Sequence, residues 1–135
     1  MQSFIPAIPM LEVFLVTDEN QLHQIERFKD LGLPKIEGAI AKTCHILDRE
    51  SGEEIIVILY PDMLDHEPAT VIPTLVHEAV HTWDCIKTTY GYDDDTELNA
   101  YSIENIYAQL FNIYSKLHRK HKRKLNREKK HAKRT

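Results

Sequence analysis

The apolar residues run out after Leu117. Between there and the C-terminus only Leu125 and Ala132 are apolar, whereas residues 119–135 hold ten Lys/Arg against one acid, Glu128. A core cannot extend into such a segment, because burying unpaired charge costs far more than the few apolar side chains return. The fold must therefore be built from residues 1–118, with 119–135 as a basic tail. From the totals of 17 Lys/Arg and 21 Asp/Glu, residues 1–118 keep seven basic and 20 acidic residues, so a net charge of −4 conceals about −13 against +9. An overall isoelectric point says little about a chain so divided.

One ordinary domain remains, long enough to bury a core without a metal or disulfide staple. A metal, if bound, would serve function and not the folding of the chain. The hydrophobic fraction of 42% and charged fraction of 28% are those of a globular protein, neither disordered nor membrane-embedded. No apolar run approaches the ~18 residues a spanning helix needs. The opening "MQSFIPAIPMLEVFLV" lacks a basic start and contains two prolines, so it reads as a strand entering the domain and not as a signal peptide. Cys44 and Cys85 make neither a disulfide framework nor a CxxC pair, so a reducing, cytoplasmic setting is the default, with pairing of the two as the alternative.

Hydropathy patterning predicts an α+β domain. "MLEVFLV" suits a buried strand; "TDENQLHQIERFKDLGLP" gives a helix with apolar Leu22, Ile25 and Phe28 and a Gly32/Pro34 stop. Two strand-like runs separated by "DRESGEE" predict a hairpin with Gly52 in the turn, and the second run, "IIVILY", is apolar on both faces, as a central strand is. "DMLDHEP" reads as a loop. Pro68 and Pro73 bracket the start of a helix expected from Thr70 or Ile72 to about Thr88, with Gly91 beyond its end. Asp95 or Thr96 caps a last helix whose stripe is Leu98, Ile103, Ile106, Leu110, Ile113 and Leu117.

The first of these two helices carries the chemistry, in "TLVHEAVHTWD". On a helix His77 and His81 stand one above the other, so two ring nitrogens can serve one ion, and Glu78 sits beside it. Zinc held by two histidines and one further protein ligand keeps a position for water and lowers that water's pKa towards neutrality. Glu78 is then placed to take the water's proton and pass it to a departing amine. The alternative is an amphipathic helix carrying two surface histidines.

A third donor is needed, and "TELNAYSIENIY" offers Glu97, followed one turn later by the small Ala100. With His77, Glu78, His81, Glu97 and Ala100 in place, the chain resembles the gluzincin branch of the zincin metallopeptidases, in which HExxH is followed by a second helix bearing a glutamate ligand. It also resembles short zincin-type proteins encoded by phages, over roughly residues 70–110. The resemblance implies a minimal zincin-like domain, a small sheet with a hairpin packed against the active-site helix and a long C-terminal helix. It further implies a Zn²⁺ cofactor, a peptide or protein substrate, and a place in the cytoplasm, of the host if the chain is phage-encoded.

Several assignments stay open on the residues alone. Glu104, seven residues after Glu97, shares its face and could ligate in its place; Asp65 and His66 precede the motif helix and are weaker donors. Tyr101 either donates to an oxyanion or packs between helices. Asp84 either supports a ligand imidazole or is solvated. Trp83 and Cys85 read as core, and His23 and His45 as structural or surface residues. Manganese, cobalt or nickel would accept the same donors as zinc.

The tail "RKHKRKLNREKKHAKRT" is dense in charge with no interleaved Phe, Tyr or Trp, so it offers phosphate neutralisation without base stacking. It is either an arm for nucleic acid or another polyanion, or a solvated extension of the last helix folded against the acidic body. The functional expectations are thus a zinc-dependent hydrolase, most simply a peptidase, and, as the alternative, a non-catalytic metal-containing module that docks a polyanion. Glu78 favours the enzyme, because a closed structural site has no use for a base beside the metal. A third reading joins the two, a peptidase delivered to its substrates by the tail.

Overall fold

The computed structural model describes residues 2–4, 11–18, 21, 38–47 and 51–135. Four strands, β1 (Gln2–Phe4), β2 (Glu12–Val16), β3 (Lys42–Leu47) and β4 (Glu54–Leu59), form one sheet in the order β1-β2-β4-β3. The pair β2 and β4 is parallel and the other two pairs are antiparallel. Two helices follow, α1 (Pro68–Tyr90) and α2 (Thr96–Ala132). The architecture is α+β, with a long C-terminal helix, as the patterning predicts. The helix expected over the segment after Thr17, and His23 with it, lies outside the described residues.

The predicted hairpin is β3 and β4, joined through Gly52 at φ 74°, a left-handed conformation that a side chain disfavours. Strand β4 lies between β2 and β3, and its residues Ile55 to Leu59 are all buried. That is why its sequence shows no alternation: both faces meet other apolar groups. Val13, Leu15, Ile56 and Ile58 point to the helices and join Leu75, Ala79, Trp83, Ile86, Ile106 and Leu110 in the main core. Phe14, Val16, Ile55, Val57 and Leu59 form a second cluster on the opposite face.

Three expectations about boundaries are corrected. The segment "DMLDHEP" is not all loop, since Met63–Asp65 makes a 3-10 turn that buries Met63. Helix α1 begins at Pro68, earlier than Thr70, because proline at the first helical position gives up only an amide that has no intrahelical partner. Pro73 therefore lies inside the helix and not at its start. Gly91, at φ 65°, ends α1, its amide donating to the Lys87 carbonyl.

Asp95 caps α2 by accepting from the Leu98 amide at 2.8 Å. Past Leu117 the helix continues without a break through residues 119–132, so the boundary between domain and tail falls inside one element. The sequence reason is plain: Lys and Arg are good helix formers, and no Gly or Pro interrupts the segment. Thirty-seven residues at ~1.5 Å each make α2 roughly 55 Å long. Among the described residues no helix is long and apolar enough to cross a membrane.

Candidate metal and hydrolase site

Helix α1 lies on the sheet through Val71, Leu75, Glu78, Ala79, Thr82, Trp83 and Ile86. One residue of helix turns the side chain by ~100°. Thus His77 stays exposed while Glu78, the next residue, swings under the helix and is only 3% exposed. His81 is exposed one turn above His77. The two rings meet edge-on with their centroids 4.7 Å apart, and the two Nε2 atoms are 3.0 Å from one another.

That separation suits a shared ion. Imidazole nitrogens bind zinc at about 2.0–2.1 Å, which for a tetrahedral angle puts them roughly 3.3 Å apart. An opening of a few tenths of an ångström is within the reach of two exposed rings. Without an ion only one proton fits between the nitrogens, with one ring donating and the other accepting.

Glu78 is held from the sheet. The Thr43 hydroxyl on β3 donates to Glu78 Oε2 at 2.5 Å. A buried carboxylate needs such a donor, and Oε1 is left unengaged among the described residues. Thr43 stands opposite Ile58 of β4, on the sheet face that meets the helices, and β3 is the outer strand of the described sheet. Between β3 and α1 opens a cavity of about 440 Å³, lined by Ala39, Ala41, Lys42, Thr43 and the three motif residues.

Thr43 and Lys42 are the site residues that sequence reasoning misses. They lie 35 and 36 residues before Glu78, in a strand whose run carries no motif. Only the pairing of β3 with β4 and the packing of α1 on the sheet bring them in.

The remaining candidates are placed differently. Helix α2 packs through Ser102, Ile106, Leu110 and Tyr114, and Glu97, Ala100, Tyr101 and Glu104 are all exposed. Glu97 is five residues before Ser102, roughly 140° round the helix from that buried stripe. Tyr101 is 65% exposed and does not pack between helices. Among the described residues no three His, Cys, Asp or Glu side chains gather as a metal site, so neither Glu97 nor Glu104 is brought to the histidine pair.

Asp84 faces Lys87, at 3.8 Å, and not an imidazole. Trp83 is core as expected, 1% exposed, and its indole N–H donates to Asn99 Oδ1 at 2.7 Å, joining α1 to the start of α2. Cys44 is buried and Cys85 half-buried, both as free thiols, and burial pushes both above the usual thiol value. His45 bonds Glu54 across the hairpin at 3.0 Å. Asp65 and His66 lie at the 3-10 turn. No protein family, curated protein or solved structure was found to match the chain.

Proposed function

We propose that the protein is a metal-dependent hydrolase, most simply a zinc peptidase, with Glu78 as its general base. The observation that carries the reading is the convergence of His77 Nε2 and His81 Nε2 at 3.0 Å beside a buried, oriented carboxylate that lines the same cavity. Two surface histidines on an ordinary helix have no need of a carboxylate anchored beneath them.

His77 and His81 would hold the ion; the sequence pattern nominates Glu97 as the third donor, which requires Glu97 to move from its exposed position on α2 towards the pair. A zinc ion bound there would supply Lewis acidity, polarising a scissile carbonyl and acidifying water. The chain does the rest. Thr43 fixes one oxygen of Glu78, which leaves the other to accept a proton from the attacking water and return it to the departing amine nitrogen. Burial of Glu78 keeps bulk water from competing for that proton. Strand β3, with a neighbour on one side only among the described strands, offers backbone groups along the cavity against which an extended peptide can lie.

Metal content by elemental analysis, with and without His77→Ala, tests the ligands. Glu78→Gln tests the chemistry: it should retain zinc and lose peptide hydrolysis by at least about 10²-fold. A Glu78→Gln protein that binds zinc and hydrolyses at the full rate would falsify this mechanism.

A further inference from the structure

The basic end of α2 borders the body at its first turns, where His121, Lys122 and Leu125 share a hollow with Leu64 to Pro68, and beyond them it is exposed on every side. Residues 119–132 continue the core helix for about 21 Å, every Lys and Arg among them is exposed, and Leu125 and Ala132 are the only apolar side chains. Like charges recur at helical spacing, Lys120 with Lys124 and Arg123 with Arg127, where they repel. The acidic remainder of the chain does not neutralise them: among the described residues, none of the ten Lys/Arg in 119–135 forms an ion pair. The arm is therefore not folded against the body through its charges. It presents them.

They are not presented evenly. Lys120, Arg123, Lys124 and Arg127 line one hollow of about 570 Å³ with the apolar Leu64 and Leu117. Low-dielectric walls beneath a single sign of charge concentrate the potential there. On the other side of the arm, Lys122 shares a hollow with Asp65 and Glu67, whose carboxylates repel an anion.

We propose that this arm docks on duplex DNA without sequence preference, with Lys120, Arg123, Lys124 and Arg127 contacting phosphates. An α-helix ~10–12 Å across fits the ~12 Å major groove of B-form DNA. The major groove of A-form RNA is too narrow for it. Single strands are held chiefly by stacking on large aromatic rings, and residues 119–135 contain no Phe, Tyr or Trp. An anionic membrane could hold the arm by surface charge alone, since two scattered apolar residues make no face to insert, whereas a duplex groove also matches the helix in width. The proposal does not depend on the hydrolase reading.

The test is fluorescence anisotropy of the full chain with a random-sequence duplex of roughly 20 base pairs, at salt from about 50 to about 200 mM. Four phosphate contacts give a slope of log K on log salt of about −3.6, so binding weakens by roughly 150-fold over that range. Lys120→Gln/Arg123→Gln/Lys124→Gln/Arg127→Gln should remove most of that slope. A control of equal charge, Lys122→Gln/Lys129→Gln/Lys130→Gln/Lys133→Gln, should change it by no more than about one. All eight side chains are exposed, and circular dichroism checks that both variants fold. The proposal is overturned if the control loses as much as the first variant, if duplex DNA is not bound at the lowest salt, or if single-stranded DNA, duplex RNA or phosphatidylserine vesicles bind as tightly as duplex DNA.

Discussion

Replacing Thr43 by valine removes a single hydroxyl and keeps the side chain's shape. In the wild-type protein that hydroxyl donates to Glu78 Oε2 at 2.5 Å, and Glu78 is 3% exposed, so bulk water replaces that donor only in part. A hydrogen bond to a charged group contributes about 1.5–3 kcal/mol, and leaving the buried acceptor unpaired puts the cost at the upper part of that range. Unfolding entropy of about 2.1 cal/mol/K per residue gives roughly 0.28 kcal/mol/K for 135 residues. The melting temperature should then fall by about 8–11 °C. Chelator-treated protein followed by the fluorescence of its one tryptophan, Trp83, provides the measurement. Thr43→Ser, which keeps the donor, should lose less than half as much. The decisive comparison is Thr43→Val in a Glu78→Ala background, where no carboxylate remains to be satisfied and the added loss should drop below about 0.5 kcal/mol. An equal loss in both backgrounds would mean that Thr43 acts through packing alone, and the account of how the base is held would be wrong.

Three further outcomes follow from the same geometry. Glu97→Ala should weaken zinc binding at least about tenfold in a competition titration if Glu97 completes the donor set, with Glu104→Ala unchanged; no change in either variant limits the protein ligands to the histidine pair. Asp94 is held below the usual carboxylate range by the Asn99 side-chain amide and then by Lys87, so its contribution is complete above the ordinary carboxylate range and is lost as pH falls through its lower folded value. Trp83, stacked on Tyr92 and bonded to Asn99, should register that loss as an acid step in its emission, and Asp94→Asn should abolish the step. The thiols of buried Cys44 and half-buried Cys85, both pushed up by burial, should react slowly with iodoacetamide at neutral pH and faster once the chain is unfolded, as read by mass spectrometry.

Much of the site was legible because its first half is local. His77, Glu78 and His81 lie within five consecutive residues, and the helix that Leu75, Ala79 and Ile86 imply fixes their relative directions without reference to the rest of the chain. The same holds for the stripe of α2, for the hairpin turn at Gly52 and for the exclusion of residues 119–135 from the core. In each case the periodicity or the charge is a property of the segment itself.

Tertiary structure decided what depends on rotation and on partners far along the chain. The pattern of α2 predicts which residues form its apolar stripe, yet its consequence for Glu97 appears only once that stripe is seated on α1 and the sheet, with Glu97 turned away. Thr43 carries no sign of its role until β3 takes the outer edge of the sheet and α1 crosses beneath it. Whether the tail folds back on the acidic body was likewise undetermined by composition, since opposite charges permit contact without requiring it. Local sequence sets the direction of a side chain relative to its own helix or strand; only packing sets what stands at the other end of that direction.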